Sequence, residues 1–236
     1  MNSGPAVSVT GLSYAYPDGA TALRNVHLAV ERGERVGIIG ANGAGKSTLL
    51  LHLNGIIMGN GNIRIHGLPV SNANLKEIRR RVGVVFQNPD DQLFCPTVYD
   101  DIAFGPRNMG LDEAEIASRV EESLRRVGLN GAAGKSAFHL SMGQKKRAAI
   151  ATVLSMGPEL LALDEPTGSL DPKGRAQIIA LLAGLGGTQI IISHDIDLVR
   201  RQCQRAVLLS KGEKVADGPV ERILADTRLL EEHGMT

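Results

Sequence analysis

Tryptophan is absent from this 236-residue chain, and aromatic residues make up only 3% of it, with three tyrosines and four phenylalanines. Any aromatic surface for stacking a ligand therefore rests on very few side chains. Cysteine is also scarce: Cys95 and Cys203 are far apart and form no Cys-x-x-Cys pair, so they are read as reduced thiols of a cytosolic protein, without assigned chemistry. An excess of charge is lacking as well, since 26 basic residues face 25 acidic ones for a formal net charge of +1. No overall field favours nucleic acid or an anionic membrane surface. No apolar run approaches the ~20 residues that span a bilayer, and Met1-Asn2-Ser3-Gly4-Pro5 has neither the charged nor the apolar region of an export leader. A membrane role would have to come through a partner. Six histidines are scattered without ligand spacing, and only His194 stands at an informative place.

What the chain does have is a hydrophobic content of 43%, enough for one substantial core or for one core with a smaller attached lobe. It also has Gly40-Ala41-Asn42-Gly43-Ala44-Gly45-Lys46-Ser47-Thr48, between the apolar run Val36–Ile39 and Leu49-Leu50-Leu51. Strand, glycine turn and helix in that order turn the Gly-x-x-x-x-Gly-Lys-Ser pattern into a phosphate loop. Gly40, Gly43 and Gly45 let the backbone bend so that successive amides point at a polyphosphate, and the helix that follows adds its positive end. In such a loop Lys46 reaches the β- and γ-phosphates and the Ser47 hydroxyl ligates magnesium.

Apolar and polar residues alternate between Val7 and Val30, predicting half-buried antiparallel strands with Tyr14–Gly19 as their turn. Tyr16 is either a stacking surface for a purine or an edge aromatic packed on the sheet; Tyr14 is read as packing. Asn60-Gly61 predicts a second piece of hairpin, with Ile63 and Ile65 inward, and Asn74 to Arg81 reads as helix. Val82–Phe86 is suited to a strand buried on both faces, delivering Gln87 to its C-terminal end. From Asn88 to about Met156 helix replaces strand. Asp112 caps a segment with Ile116, Val120, Leu124 and Val127 inward, ended by Gly128. Ser141 and Gln144 have capping-box spacing at the start of another helix, a type of end that suits a phosphate. The basic runs Arg79–Arg81 and Lys145–Arg147 are read as solvated helix faces. The domain expectation is a nucleotide-binding core over about 1–87 and 157–236, with a helical lobe over about 88–156.

Leu160–Leu163 is a second buried strand, ending in Asp164-Glu165-Pro166. The proline predicts an extended Glu165, and the pleat would then send the two carboxylates to opposite sides, one toward magnesium and one toward the γ-phosphate. Ser169–Pro172 opens a helix with Ile178, Ile179, Leu181, Leu182 and Leu185 inward, stopped by Gly186-Gly187. Gln189–Ser193 is a third buried strand, ending in His194-Asp195. Gln87, Asp164, Glu165 and His194 thus fall along one edge of a parallel sheet with the phosphate loop. A hairpin around Lys211-Gly212 and a helix from Pro219 close the chain.

These residues resemble those of the ATP-binding-cassette ATPases along nearly the whole length: Gly40 to Thr48, Gln87, Leu140-Ser141-Met142-Gly143-Gln144, Leu160 to Glu165, Ser169-Leu170-Asp171 and His194 follow that family's order and spacing. Gln87–Gln92 and Thr97–Gly105 look like the energy-coupling-factor importers, especially the ATPase subunit of the cobalt and nickel group. The resemblance implies an α/β fold: a P-loop NTPase core with a mostly parallel sheet, an N-terminal antiparallel β-subdomain and an inserted helical subdomain. It implies ATP and Mg2+ as cofactors, with nucleotide on Gly40 to Thr48, Tyr16 on adenine, and magnesium on Ser47 and Gln87, with Asp164 acting through water. Glu165 would polarise the attacking water and His194 would hold it with the γ-phosphate. Ser141, Gly143 and Gln144 would contact nucleotide held by a second subunit, near Asp171, which makes a head-to-tail dimer the catalytic form. The family has glycine where this chain has Met142. Integral-membrane subunits are the implied partners, at the cytoplasmic face of the membrane, with neither nucleic acid nor the transported solute bound directly. Asp90, Asp91 and Gln92 would lie near the membrane subunit, or else form a solvated acidic loop. A soluble cassette ATPase acting on nucleic acid or ribosomes is opposed by the near-neutral charge, and a non-hydrolysing module by the presence of Glu165 and His194.

Overall fold

Period-two patterning at the N-terminus produces a sheet with one dry face. In the computed structural model, which describes residues 4–235, β1 (Val7–Ala15) and β2 (Thr21–Val30) pair antiparallel from Val7 opposite Val30. The chain then runs through β3 (Arg35–Ile39) into the phosphate loop and α1 (Lys46–Leu53). It returns as β4 (Asn60–Ile65) against β1, with the two-residue β5 (Leu68–Pro69) at its edge. Asn60-Gly61 is not the turn of this hairpin. Both residues lie inside β4, where Gly61 passes so close to the backbone of Gly11 and Leu12 that a Cβ would meet it; the reversal is at His66-Gly67, at φ 48° and 81°.

Next come α2 (Leu75–Arg81), β6 (Val82–Val85), α3 (Val98–Met109), α4 (Glu113–Arg126), α5 (Met142–Leu154) and β7 (Leu160–Asp164). Between β6 and β7 the described residues form helices and loops only. Local signals set the starts of these helices: the side chains of Thr97, Asp112 and Ser141 each accept a backbone N–H three residues on. Then follow α6 (Pro172–Gly184), β8 (Thr188–Ile192), α7 (Ile196–Gln202), β9 (Arg205–Ser210), β10 (Glu213–Pro219), α8 (Val220–Ala225) and α9 (Thr227–Glu232). The terminal helix is thus two pieces, α9 being started anew by the side chain of Asp226.

The second sheet has the order β10-β9-β3-β8-β7-β6, parallel except for the outer strand β10. Its buried strands alternate between two apolar layers, as the pleat requires. Val36, Ile38, Leu160, Ala162, Ile190 and Ile192 meet α1, α2 and the antiparallel sheet. Ile39, Leu161, Leu163 and Ile191 meet the other helices, and the core of α3–α5 is continuous with that layer. Cys95 and Cys203 are free thiols pushed up to about 11 and about 12, mainly by burial, so neither is a thiolate nucleophile at neutral pH.

Candidate functional site

The parallel strands point their C-terminal ends at one edge, and the phosphate loop leaves from β3 at the centre of it. Gly40, Gly43 and Gly45 adopt φ of 149°, 79° and 99°. A Cβ on Gly40 would collide with the Leu209 carbonyl, and one on Gly45 with the carbonyl of Ala22. The loop is pinned from both sides by its own chain, since Gly212 also donates its N–H to the Ala44 carbonyl, at 3.1 Å. Lys46 is buried and folds back to donate to the carbonyls of Gly40 and Ala41, at 2.7 and 3.0 Å. Burial lowers its pKa, partly opposed by Glu165 and Asp164.

A cleft of about 450 Å³ opens over this loop. It brings together Tyr16, Asn42 to Thr48, Gln87, Asp164, Glu165 and His194. Gly40 and Ala41 form the base of the loop, with Ala41 facing a neighbouring cleft beside the Lys211 turn. Tyr16 is 40% exposed, its hydroxyl paired with Thr48 Oγ1 at 2.8 Å and its ring edge-on to Tyr14 at 5.2 Å; Tyr14 in turn packs on His52. Tyr14 is thus the packing residue and Tyr16 the one with a free surface toward the cleft. Ala20, Thr21 and Ala22 join it there, small residues without a motif to announce them.

Asp164 is buried, and its carboxyl is raised above the ordinary range, chiefly by burial, against the opposing pull of the Ser47 hydroxyl. One of its oxygens, Oδ1, is buried without a hydrogen-bond partner. An orphaned carboxylate oxygen beside a serine hydroxyl and the Gln87 amide is a donor set of oxygens that suits magnesium.

Glu165 departs from the sequence expectation. It stands just beyond β7 at φ 44°, left-handed rather than extended. Pro166 does exclude the right-handed region, but the surrounding hydrogen bonds select the αL alternative over the β one. Its N–H donates to the Ile192 carbonyl at 2.9 Å, and its own carbonyl accepts from Gly168 N–H. Oε2 accepts from Ser193 Oγ at 3.0 Å and Oε1 from the His194 N–H at 3.0 Å, while His194 Nδ1 lies 2.8 Å from Oε1. The pleat argument therefore does not apply to Glu165, whose carboxylate is aimed by Ser193 and His194, just past the end of β8. Glu165 is 6% exposed, whereas the His194 side chain is 65% exposed. A buried carboxylate touching an accessible imidazole can polarise a water and pass its proton outward.

Lys145–Arg147 is not a solvated face. Lys146 is 4% exposed and donates its Nζ to the Glu165 carbonyl at 2.6 Å; Lys145 pairs with Asp90 at 2.6 Å. Periodicity across a lysine-lysine-arginine run cannot show that the middle residue turns inward. Arg80 and Arg81 are likewise half-buried, Arg80 on the Met109 carbonyl and Arg81 on Glu77. Gln92 is no free surface group either: it accepts from Phe86 N–H and donates to Ala149 O and Thr152 Oγ1, tying the end of β6 to α5.

Ser141, Gly143 and Gln144 are not in this cleft. They line a second one, of about 500 Å³, with Met142, Arg147, Leu170, Asp171 and Gly174. Ser141 and Gln144 form the full capping box, so Met142 is the first helical residue and its side chain is 39% exposed. Asp171 caps α6 by accepting the Gly174 N–H at 2.8 Å, with Pro172 at the first helical position.

The profile of the ABC transporter family matches residues 23–168. The energy-coupling factor transporter ATP-binding protein EcfA of Methanothermobacter thermautotrophicus is 50% identical over 230 residues, covering 95% of this chain and 74% of that protein. Its counterpart in Carboxydothermus hydrogenoformans is 46% identical over 234 residues, covering 98% and 86%. Among solved structures, cbiO1 of Clostridium perfringens, described as part of the ABC transporter complex cbiONQ, superposes with a TM-score of 0.84 at 40% identity, over 97% of this chain and 94% of that one. A dimeric ATP-binding cassette in a post-hydrolysis state bound to ADP and Pi gives 0.80 at 28% identity, over 91% and 98%. By sequence, by fold and by the phosphate loop at the sheet's edge, the chain belongs to the ABC transporter family, as an ATP-hydrolysing cassette.

Proposed function

We propose that this chain is the ATPase subunit of an energy-coupling-factor importer, which as a homodimer closes on ATP and reopens after hydrolysis at the cytoplasmic face of a membrane. The observation that carries the reading is the Glu165 carboxylate, held by Ser193 and His194 in the cleft of the phosphate loop. In this scheme the amides of Gly40 to Thr48 and the Lys46 ammonium cradle the phosphates, and Tyr16 offers its free face to adenine. Ser47, Gln87 and Asp164 would hold a magnesium ion, which supplies charge neutralisation on the β- and γ-phosphates when bound. Glu165 accepts the proton of the attacking water, and His194 holds that water and the γ-phosphate.

The second cleft is the other half of the site. Ser141, Gly143 and Gln144 present the N-terminus of a 13-residue helix, and they complete the phosphate contacts of a partner's nucleotide. The dimeric state of the structural neighbour supports this. The helical lobe of about residues 88–156 carries the resulting motion to membrane subunits, at the groove where Phe94 and Phe104 stand exposed near Met156. No helix among the described residues is long and apolar enough to cross a membrane itself. The resemblance to the cobalt and nickel group makes such a metal ion, or a related micronutrient, the proposed solute, bound elsewhere in the complex. The test is isolation from native membranes with identification of the accompanying subunits. Recovery with an integral-membrane importer subunit, and ATPase activity abolished by Glu165→Gln, is the expected result; a soluble complex with ribosomes or nucleic acid would overturn the transport reading.

A further inference from the structure

Glu165, the proposed acceptor of the water's proton, has a left-handed backbone. A non-glycine residue at positive φ is strained and persists only where its surroundings over-determine it. Three of the groups that hold it come from nearby chain or from β8: Gly168 N–H, the Ile192 carbonyl and the Ser193–His194 pair. The fourth comes from a different element altogether. Lys146, on the second turn of α5, reaches across with its Nζ to the Glu165 carbonyl at 2.6 Å, and no other hydrogen bond from that ammonium is made among the described residues. The lysine is almost wholly buried, with the carboxylates of Glu165 and Asp164 nearby. An ammonium in such a place is expensive unless it is paired, and a methionine or leucine would fill the same space at lower cost. Packing alone does not account for a lysine here; a strong, charge-assisted donor aimed at one carbonyl does.

We infer that Lys146 is a positioning residue for ATP hydrolysis: its ammonium fixes the left-handed Glu165 peptide and thereby the direction of the Glu165 carboxylate toward His194. The inference rests on the proposed role of Glu165. It also gives α5 two ends with related work, since the same helix begins at the Ser141 cap, four residues before Lys145 and five before Lys146. Displacement of α5 would carry the Glu165 carbonyl with it.

The test uses Lys146→Met, which keeps an unbranched side chain without the donor, and Lys146→Gln, which restores a neutral donor one atom shorter. Misplacing a reacting group by about 1 Å can cost ~10²-fold, so Lys146→Met is expected to lower kcat by about ten- to a hundredfold at saturating ATP-Mg, with KM for ATP unchanged within about twofold. Lys146→Gln is expected to fall between Lys146→Met and the parent. ATP binding, measured with a fluorescent analogue, stays at the parent level in both. If kcat is unchanged in Lys146→Met, or if kcat and ATP affinity fall together, the positioning role is overturned; so it is if Lys146→Gln recovers nothing over Lys146→Met. Should Lys146→Met fail to fold, Lys146→Gln alone decides by the same kcat-against-KM comparison. Glu165→Gln is assayed alongside. Parent-like turnover there would sink the role given to Glu165 itself, separately from that of Lys146.

Discussion

The two clefts differ in how far each is determined by its own chain. In the phosphate-loop cleft the glycines are demanded internally: Cβ atoms at Gly40 and Gly45 would strike the carbonyls of Leu209 and Ala22, and both residues sit at positive φ. In the second cleft a Cβ on Gly143 would come no nearer than 3.9 Å to Gly174 Cα and Leu170, at ordinary contact distance, within a regular helix. The burial of the site residues contrasts in the same way. Lys46, Asp164 and Glu165 are buried and mostly hydrogen-bonded, whereas Ser141, Gly143, Gln144 and Asp171 are open to solvent or partly so. In the second cleft the caps Ser141 and Asp171 serve their own helices, but Gly143 answers to no internal contact, and the proposed completion of this surface by a second chain rests on that contrast.

The largest effect is expected at Glu165: a general base contributes about 10²–10⁴ in rate, so Glu165→Gln should lose nearly all turnover while retaining ATP, and near-normal steady-state hydrolysis would remove Glu165 from the mechanism. Glycine substitutions then separate the clefts. Gly143→Asp should abolish ATPase activity by placing a carboxylate against a partner's γ-phosphate, yet change the unfolding free energy by less than about 0.5 kcal/mol, since a Cβ there meets nothing closer than 3.9 Å. Gly45→Ala should do the reverse in order of cause, destabilising the fold by about 1–3 kcal/mol through overpacking and αL strain. Denaturant unfolding of both variants checks the pair, and equal destabilisation would erase the distinction.

A smaller effect tests the link between the clefts. Arg175, on the helix that Asp171 starts, makes a two-pronged bond to Asp195 at 2.6 and 2.7 Å, next to His194. Chiefly through Arg175, and against burial, the Asp195 carboxyl is pulled down to about 2 from 3.8. A group depressed on folding contributes stability that is present above its unfolded pKa and lost as pH falls through the folded one. The contribution is therefore complete above about pH 4 and disappears toward pH 2. Arg175→Met should move the acid-unfolding midpoint upward; an unshifted midpoint would mean the pair is not coupled to folding. Smallest of all is Met142→Gly. The first helical residue has negative φ, which any L-residue adopts, so maximal activity should change by less than about tenfold, below ~1.4 kcal/mol. Loss of activity with the fold intact would overturn the assignment of the helix start.

Legibility in the sequence follows the same division. The phosphate loop, the buried strands and the Ser141 capping box are local patterns, and each appears where spacing and cap chemistry predict it. What escaped are features set by tertiary partners. Pro166 limits Glu165 but cannot choose between extended and left-handed backbone; Lys146, Gly168 and β8 make that choice. Lys146 and Gln92 look like surface residues until α5 is placed against the ends of β6 and β7. The Asn60-Gly61 pair has turn chemistry, yet its glycine is needed for the close passage of β4 over β1.

In the proposed function the cleft at the start of α5 is half of a nucleotide site shared between two chains. Light scattering on Glu165→Gln with and without ATP tests it directly. ATP should convert one-chain particles to two-chain particles, and adding Gly143→Asp should abolish that conversion while each chain still binds ATP. Particles that stay at one chain with ATP bound, or a dimer indifferent to Gly143→Asp, would rule out the shared site.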